Sequence, residues 1–153
     1  MFLLDTNVIS ELRRPDKADR NVVAWAGTVP AASFFLSAIS ILEIELGVLL
    51  IARKDAAQGA VLRGWIDDQI LPRFDGRILA VDTAVAQRCA RLHVPDRRAE
   101  RDALIAVTAM VHGLTVVTRN VADFEPVGVA LLNPWEARHE GEPARPPTVR
   151  DRP

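Results

Sequence analysis

Short apolar runs that alternate with amphipathic stretches predict an α/β protein, with a central parallel sheet and helices on both of its sides. The first run, Phe2-Leu3-Leu4, has no polar alternation, as expected of a strand covered on both faces. The 153 residues, 49% of them hydrophobic, suffice for one full core and would be crowded as two domains.

Taken in order, Phe2–Leu4 is a strand, Asp5-Thr6-Asn7 a turn, and Val8–Leu12 a helix. Asn21–Gly27 is a second helical piece carrying Trp25. Ser33–Ser37 is a strand, and Ser40 caps a helix over Ile41–Ala52. Asp55–Gln69 places Val61, Leu62, Trp65 and Ile66 at helical spacing, with Pro72 helping to end it. Ile78–Val81 is a third strand, and Asp82 caps a helix running to Leu92. A polar segment with Pro95 leads to the helix Arg101–His112, which Gly113 ends. Leu114–Thr118 is a strand, 119–126 a loop or short turn, and Val127–Leu132 the last strand. From about His139 the chain is rich in Pro, Glu and Arg, a composition that favours disorder.

Composition excludes several functions. The formal net charge of -1 supplies no strong field towards nucleic acid or an acidic membrane. A single cysteine, Cys89, rules out an intrachain disulfide and multi-Cys zinc sites, and fits a small core residue in a reducing compartment. The start MFLLDTNVISELRR has its basic residues after a very short apolar run, unlike a signal peptide. Charges break every apolar stretch well short of a bilayer span, so the expected place is the cytoplasm, with no membrane partner.

In an open α/β sheet, sites form beyond the carboxyl ends of the strands. Four acids stand there: Asp5 after strand one, Glu43 in the first turn of the helix after strand two, Asp102 at the start of the helix before strand four, and Asp123 in the loop after strand four. Clustered carboxylates repel one another, and a hard cation such as magnesium or manganese relieves the repulsion. Such an ion can activate water and stabilise charge on a phosphoryl group. Each acid also has a plainer account. Asp5 could begin a turn, Asp102 could answer a helix dipole, and Asn120 and Asp123 could be turn residues. Thr118 could be a buried hydroxyl bonded to backbone. Ser40-Ile41-Leu42-Glu43 matches a capping box, in which Glu43 would bond back to the cap; Glu45 is then the alternative ligand, on a different side of the helix.

Three blocks together resemble the PIN-domain family, in particular the VapC toxins of toxin–antitoxin pairs and the similar FitB-like proteins: FLLDTNVISELRRP, SAISILEIELGV with Glu43, and ERDALIAVTAMVHGLTVVTRNVADFEPVGVALLNPW. The resemblance spans residues 1–136 and implies a three-layer α/β/α PIN-like domain, followed by a polar tail at 137–153. It implies a homodimeric endoribonuclease requiring Mg2+ or Mn2+, with Asp5, Glu43, Asp102 and Asp123 at the metal and Thr6, Asn7, Thr118 and Asn120 supporting them. It also implies a VapB-like antitoxin, through which the complex binds operator DNA; Trp25, Leu46, Leu49 and Leu50 are candidates for the partner's surface, with core packing as the competing account. The segment Leu92–Arg101 is longer and more charged than the simplest family pattern.

In-line attack by water would leave a 5′-phosphate and a 3′-hydroxyl. Arg13, Arg14 and Lys17, with Arg97, Arg98 and Arg101 across the cleft, are candidate contacts to RNA phosphates. The alternatives are a DNA-directed metal nuclease and a catalytically inactive PIN-type binding module. A receiver-like phosphatase fold is disfavoured by the single early acid and the absence of lysine after Lys54.

Overall fold

The computed structural model describes residues 1–136. The expected tail at 137–153 lies outside the described residues. Strands β1 (Phe2–Leu4), β2 (Phe34–Ser37), β3 (Ile78–Leu79), β4 (Thr115–Val117) and β5 (Leu131–Leu132) form one sheet in the order β3-β2-β1-β4-β5. All four pairings are parallel. The chain therefore builds outward from β1 on one side, then crosses back to build on the other. The switch point lies between β1 and β4.

Among the described residues eight α-helices connect and cover the strands: α1 (Thr6–Leu12), α2 (Arg20–Gly27), α3 (Ala38–Lys54), α4 (Ala56–Trp65), α5 (Leu71–Arg73), α6 (Thr83–Leu92), α7 (Glu100–His112) and α8 (Val121–Phe124). A π-helical turn, Ile66–Ile70, joins α4 to α5, so Pro72 stands inside the last turn of this helical run. Acidic caps start four helices, Asp5 on α1 among them. Asp19 accepts from Asn21 N at 2.8 Å, Asp55 from Gln58 N at 3.1 Å, and Asp82 from Val85 N at 3.0 Å. Gly113, at φ +67°, ends α7 in the left-handed conformation that glycine adopts without penalty.

Alternate strand residues serve opposite faces, because successive side chains in a strand point to opposite sides. Phe2, Leu4, Phe34, Leu36 and Val117 join α1, α3 and α4 in one core layer. Leu3, Phe35 and Val116 meet Ile105, Ala106 and Ala109 of α7 in the other. Beyond that layer, α6 packs on α7 through Val85, Cys89, Ala103 and Val107, so Cys89 is the core residue expected. This is the three-layer α/β/α architecture.

Several boundaries differ from expectation, β3 for example ending at Leu79 rather than Val81, and two differences are larger. The helix after β2 begins at Ala38, and its cap is Ser37, whose Oγ accepts from Ile39 N at 3.0 Å. Ser40 lies inside the first turn, buried and with its Oγ unpartnered. The last strand is only Leu131–Leu132, because a 3-10 turn at Glu125–Val127 and Gly128 at φ +79° occupy its expected start.

Candidate metal centre at the strand ends

Pairing Leu4 with Val117, and Leu3 with Phe35, sets the next residues of the three central strands side by side: Thr118, Asp5 and Ser37. Asp5 still belongs to the ladder through its amide, which donates to Val117 O at 2.9 Å. Its side chain caps α1 and is 6% exposed. Oδ1 accepts from Thr6 N at 2.8 Å, while Oδ2 accepts from Thr118 Oγ1 at 2.8 Å and from Asn7 Nδ2 at 3.4 Å. Asn7 also reaches β4, since its Oδ1 accepts from Arg119 N at 3.3 Å. Thr118 Oγ1 accepts in turn from Asn120 N at 3.0 Å. Asp5 is thus held by the first turn of α1 and by the end of β4 together.

Glu43 lies in the second turn of α3, not the first, because the helix starts earlier than expected. The capping box is therefore not formed. Glu43 Oε1 accepts instead from Thr6 Oγ1 at 3.0 Å, and Oε2 lies 4.0 Å from Arg101 Nη1. Glu45 forms an ion pair with Arg63, which also lies 3.7 Å from Asp67. It is committed to the seam between α3 and α4.

Asp102 is half-buried in the first turn of α7, and Asp123 is exposed in α8, a one-turn helix where a loop or short turn was expected. Burial pushes the Asp5 carboxyl above its ordinary range; the bonds from Thr118 and Thr6 oppose this, and the charges of Glu43 and Asp123 add to it. Burial also raises Asp102, helped by the charges of Asp5 and Asp123. The four acids, drawn from four elements, form one electrostatic unit centred on Asp5.

The donor set is all carboxylate oxygen with hydroxyl and amide support, which suits a hard divalent cation. Among the described residues no three His, Cys, Asp or Glu side chains are close enough together to enclose a metal ion. The acids gather around the strand ends without closing on one point.

Of the six candidate basic contacts, only Arg101 approaches a carboxylate of the cluster among the described residues. Arg14 lies 4.0 Å from Asp16, Arg13 ends α1, and Lys17 is exposed. Arg97 and Arg98 lie on the exposed segment between α6 and α7, where Arg98 N donates to His93 Nδ1 at 3.1 Å. Leu46, Leu49 and Leu50 are exposed by 38%, 61% and 53%, so core packing does not account for them. Trp25 is half-buried and meets Phe2 edge-on at 5.3 Å, so for it the packing account holds. Sequence reasoning missed the amide of Arg119 and the cap Ser37, whose parts depend on strand register.

The family profile described as PIN domain matches residues 2–128. Toxin FitB of Neisseria gonorrhoeae is 41% identical over 140 residues, spanning 88% of this chain and 99% of that protein. VapC ribonuclease Y4jK of Sinorhizobium fredii is 34% identical over 141 residues, spanning 89% and 99%. The crystal structure of FitAcB from Neisseria gonorrhoeae superposes with a TM-score of 0.81 at 40% identity, covering 90% of this chain and 100% of the matched chain.

Proposed function

The chain belongs to the PIN-domain family and is closely related to the toxins of FitB and VapC type, and from that premise we propose that it is a toxin endoribonuclease dependent on Mg2+ or Mn2+. The observation that carries the proposal is Asp5. An acid that is 6% exposed, bonded on both oxygens and raised by its own neighbours is an expensive group for a fold to keep without a use.

Asp5 and Asp102 would hold the metal, with Glu43 and Asp123 binding it directly or through water. When bound, the ion supplies charge neutralisation for the acids and the phosphate, and a water acidic enough to attack. Thr118, Asn7 and the Thr6 amide keep the Asp5 carboxylate in one orientation. Thr6 holds one oxygen of Glu43 and leaves the other to accept a proton or bind water. Asn120, whose amide is tied to Thr118, flanks the same edge. Hydrolysis in line would leave a 5′-phosphate and a 3′-hydroxyl. Arg101, beside Glu43, is the best placed of the basic residues to meet a substrate phosphate.

Three partners follow from the same reading. A VapB-like antitoxin would cover the exposed leucines of α3. A second copy of the chain would complete a homodimer. Operator DNA would be bound only through the antitoxin, since a net charge of -1 gives this chain little hold on a duplex. Among the described residues no helix is long and apolar enough to cross a membrane, and the proposed place of action is the cytoplasm.

The test is incubation of antitoxin-free protein with a total-RNA pool in magnesium, manganese or EDTA, beside an Asp5→Asn control, with fragment ends sequenced. Metal-dependent cuts at discrete sites, lost in the control, are expected. Cutting that survives EDTA or the substitution would remove the assignment of the site. Folded protein that cuts no RNA would favour the inactive binding module, and preference for duplex DNA would favour a DNA nuclease.

A further inference from the structure

Arg119 directly follows Thr118, the residue that bonds Asp5, and its own amide donates to Asn7. Its side chain is exposed, and its guanidinium carbon lies 5.3 Å from the centroid of the Trp135 ring. Among the described residues no carboxylate lies within 4.0 Å of that guanidinium, although four acids stand at the neighbouring strand ends. Trp135 is itself pinned. It packs, partly buried, against one core layer, its amide donates to Asn133 Oδ1 at 3.0 Å, and its carbonyl accepts from Asn21 Nδ2 at 2.8 Å. The tryptophan is thus a fixed platform, and the exposed arginine lies over it.

A guanidinium is flat and weakly hydrated, and stacks readily on aromatic rings, whereas an ammonium acts as a compact point charge. Unpaired bases stack on arginine planes as they do on aromatic rings. We infer that Arg119 and Trp135 form a stacking subsite for an unpaired base of single-stranded RNA, on a nucleotide next to the scissile phosphate. The base lies on the guanidinium, the guanidinium lies on the indole, and the N–H edge of the arginine faces the adjoining phosphate. This deepens the nuclease reading, on which it rests, by assigning a substrate contact outside the carboxylates. A duplex, whose bases are already stacked, cannot use it.

The experiment measures binding of a short single-stranded RNA of mixed sequence by fluorescence anisotropy, in magnesium, on the Asp5→Asn background so that the RNA stays intact. Arg119→Ala is expected to weaken binding by about 5- to 150-fold, the range for one stacked base. Arg119→Lys, which keeps the charge, should lose nearly as much, and Trp135→Leu more than Trp135→Phe. Abasic sites are then walked along the oligonucleotide. One position should weaken binding to the Arg119 protein and have no effect on the Arg119→Ala protein, a coupling that a merely structural role would not produce.

Wild-type-like binding by Arg119→Lys, or abasic effects that are the same with and without Arg119, would overturn the subsite. The nuclease reading is judged separately, by cleavage in the Asp5 protein. Cutting without the coupling removes only the subsite. Coupling without cutting keeps the subsite and removes the nuclease.

Discussion

The hydroxyl of Thr118 donates to Oδ2 of Asp5 at 2.8 Å, joining the ends of two neighbouring parallel strands. Both residues are buried, so the bond acts on a charge with little help from water. It is one of the influences that hold the Asp5 carboxyl down against burial.

Thr118→Val keeps the shape and removes that donor. We predict that the Asp5 pKa rises further and that the acid limb of kcat/KM against pH moves up by about one unit, as expected for loss of a hydrogen bond to a charged group worth about 1.5 kcal/mol. An unmoved acid limb would separate Asp5 from the pH dependence.

Asp5→Asn is predicted to abolish cutting and to stabilise the metal-free fold by about 1 kcal/mol, or about 2–4 °C in Tm. The sign follows from linkage. A carboxyl with a raised folded pKa binds its proton more readily folded than unfolded, so its ionisation destabilises the fold. That penalty is full above the folded pKa and vanishes below the unfolded one. The Tm difference between variant and wild type should therefore be largest near neutral pH and shrink as pH falls through the folded pKa of Asp5. Calorimetry across that window decides the matter, and a difference independent of pH would contradict it.

Manganese should raise the Tm of the wild type and EDTA should reverse the gain. A free-metal concentration a hundredfold above Kd corresponds to about 2.7 kcal/mol. Asp5→Asn and Asp102→Asn should each lose most of this shift. An equal shift in all three proteins would place the ion elsewhere.

Gly59 on α4 faces Ala52 on α3 so closely that an added Cβ would lie 2.5 Å from Ala52 Cβ and 2.7 Å from Ala52 Cα. Much of that obstruction is backbone and cannot swing aside. Gly59→Ala should destabilise the fold by about 1–3 kcal/mol in urea titration, despite the better helix propensity of alanine. A gain in stability would mean that the two helices separate freely.

Leu49→Lys with Leu50→Glu should remove co-purification with the antitoxin and leave RNA cutting by the free protein intact. These side chains are exposed on α3, and neither bonds to a carboxylate of the cluster among the described residues. Retention of the antitoxin would move its surface to another face.

The places of Asp5 and Asp102 could be read from the sequence, because each stands where an apolar run meets polar sequence, and such junctions mark strand and helix ends; Asp123 is placed only as a residue shortly after the fourth strand. Glu43 could be found as a candidate but not resolved. Ser37 and Ser40 both precede the same apolar helix and both suit a cap; only the pairing of β2 with β1 decides for Ser37, and with it the turn that carries Glu43. The π-helical turn at Ile66–Ile70 leaves no local signature in propensity. Nor could the Arg119–Trp135 contact be seen, because it depends on the chain returning after β5 to the end of β4.

The sheet order has a consequence for synthesis of the protein. The strand bearing Asp5 emerges from the ribosome first, yet one of its two partners is β4, and the bond that positions its carboxylate comes from a residue 113 positions later. Contacts so distant in sequence form late, and folding towards them is slow. A nascent chain halted before Thr118 lacks Asp123 and the hydrogen bond from Thr118 to Asp5. The central place of β1 thus delays completion of the acidic cluster until β4 has joined the sheet.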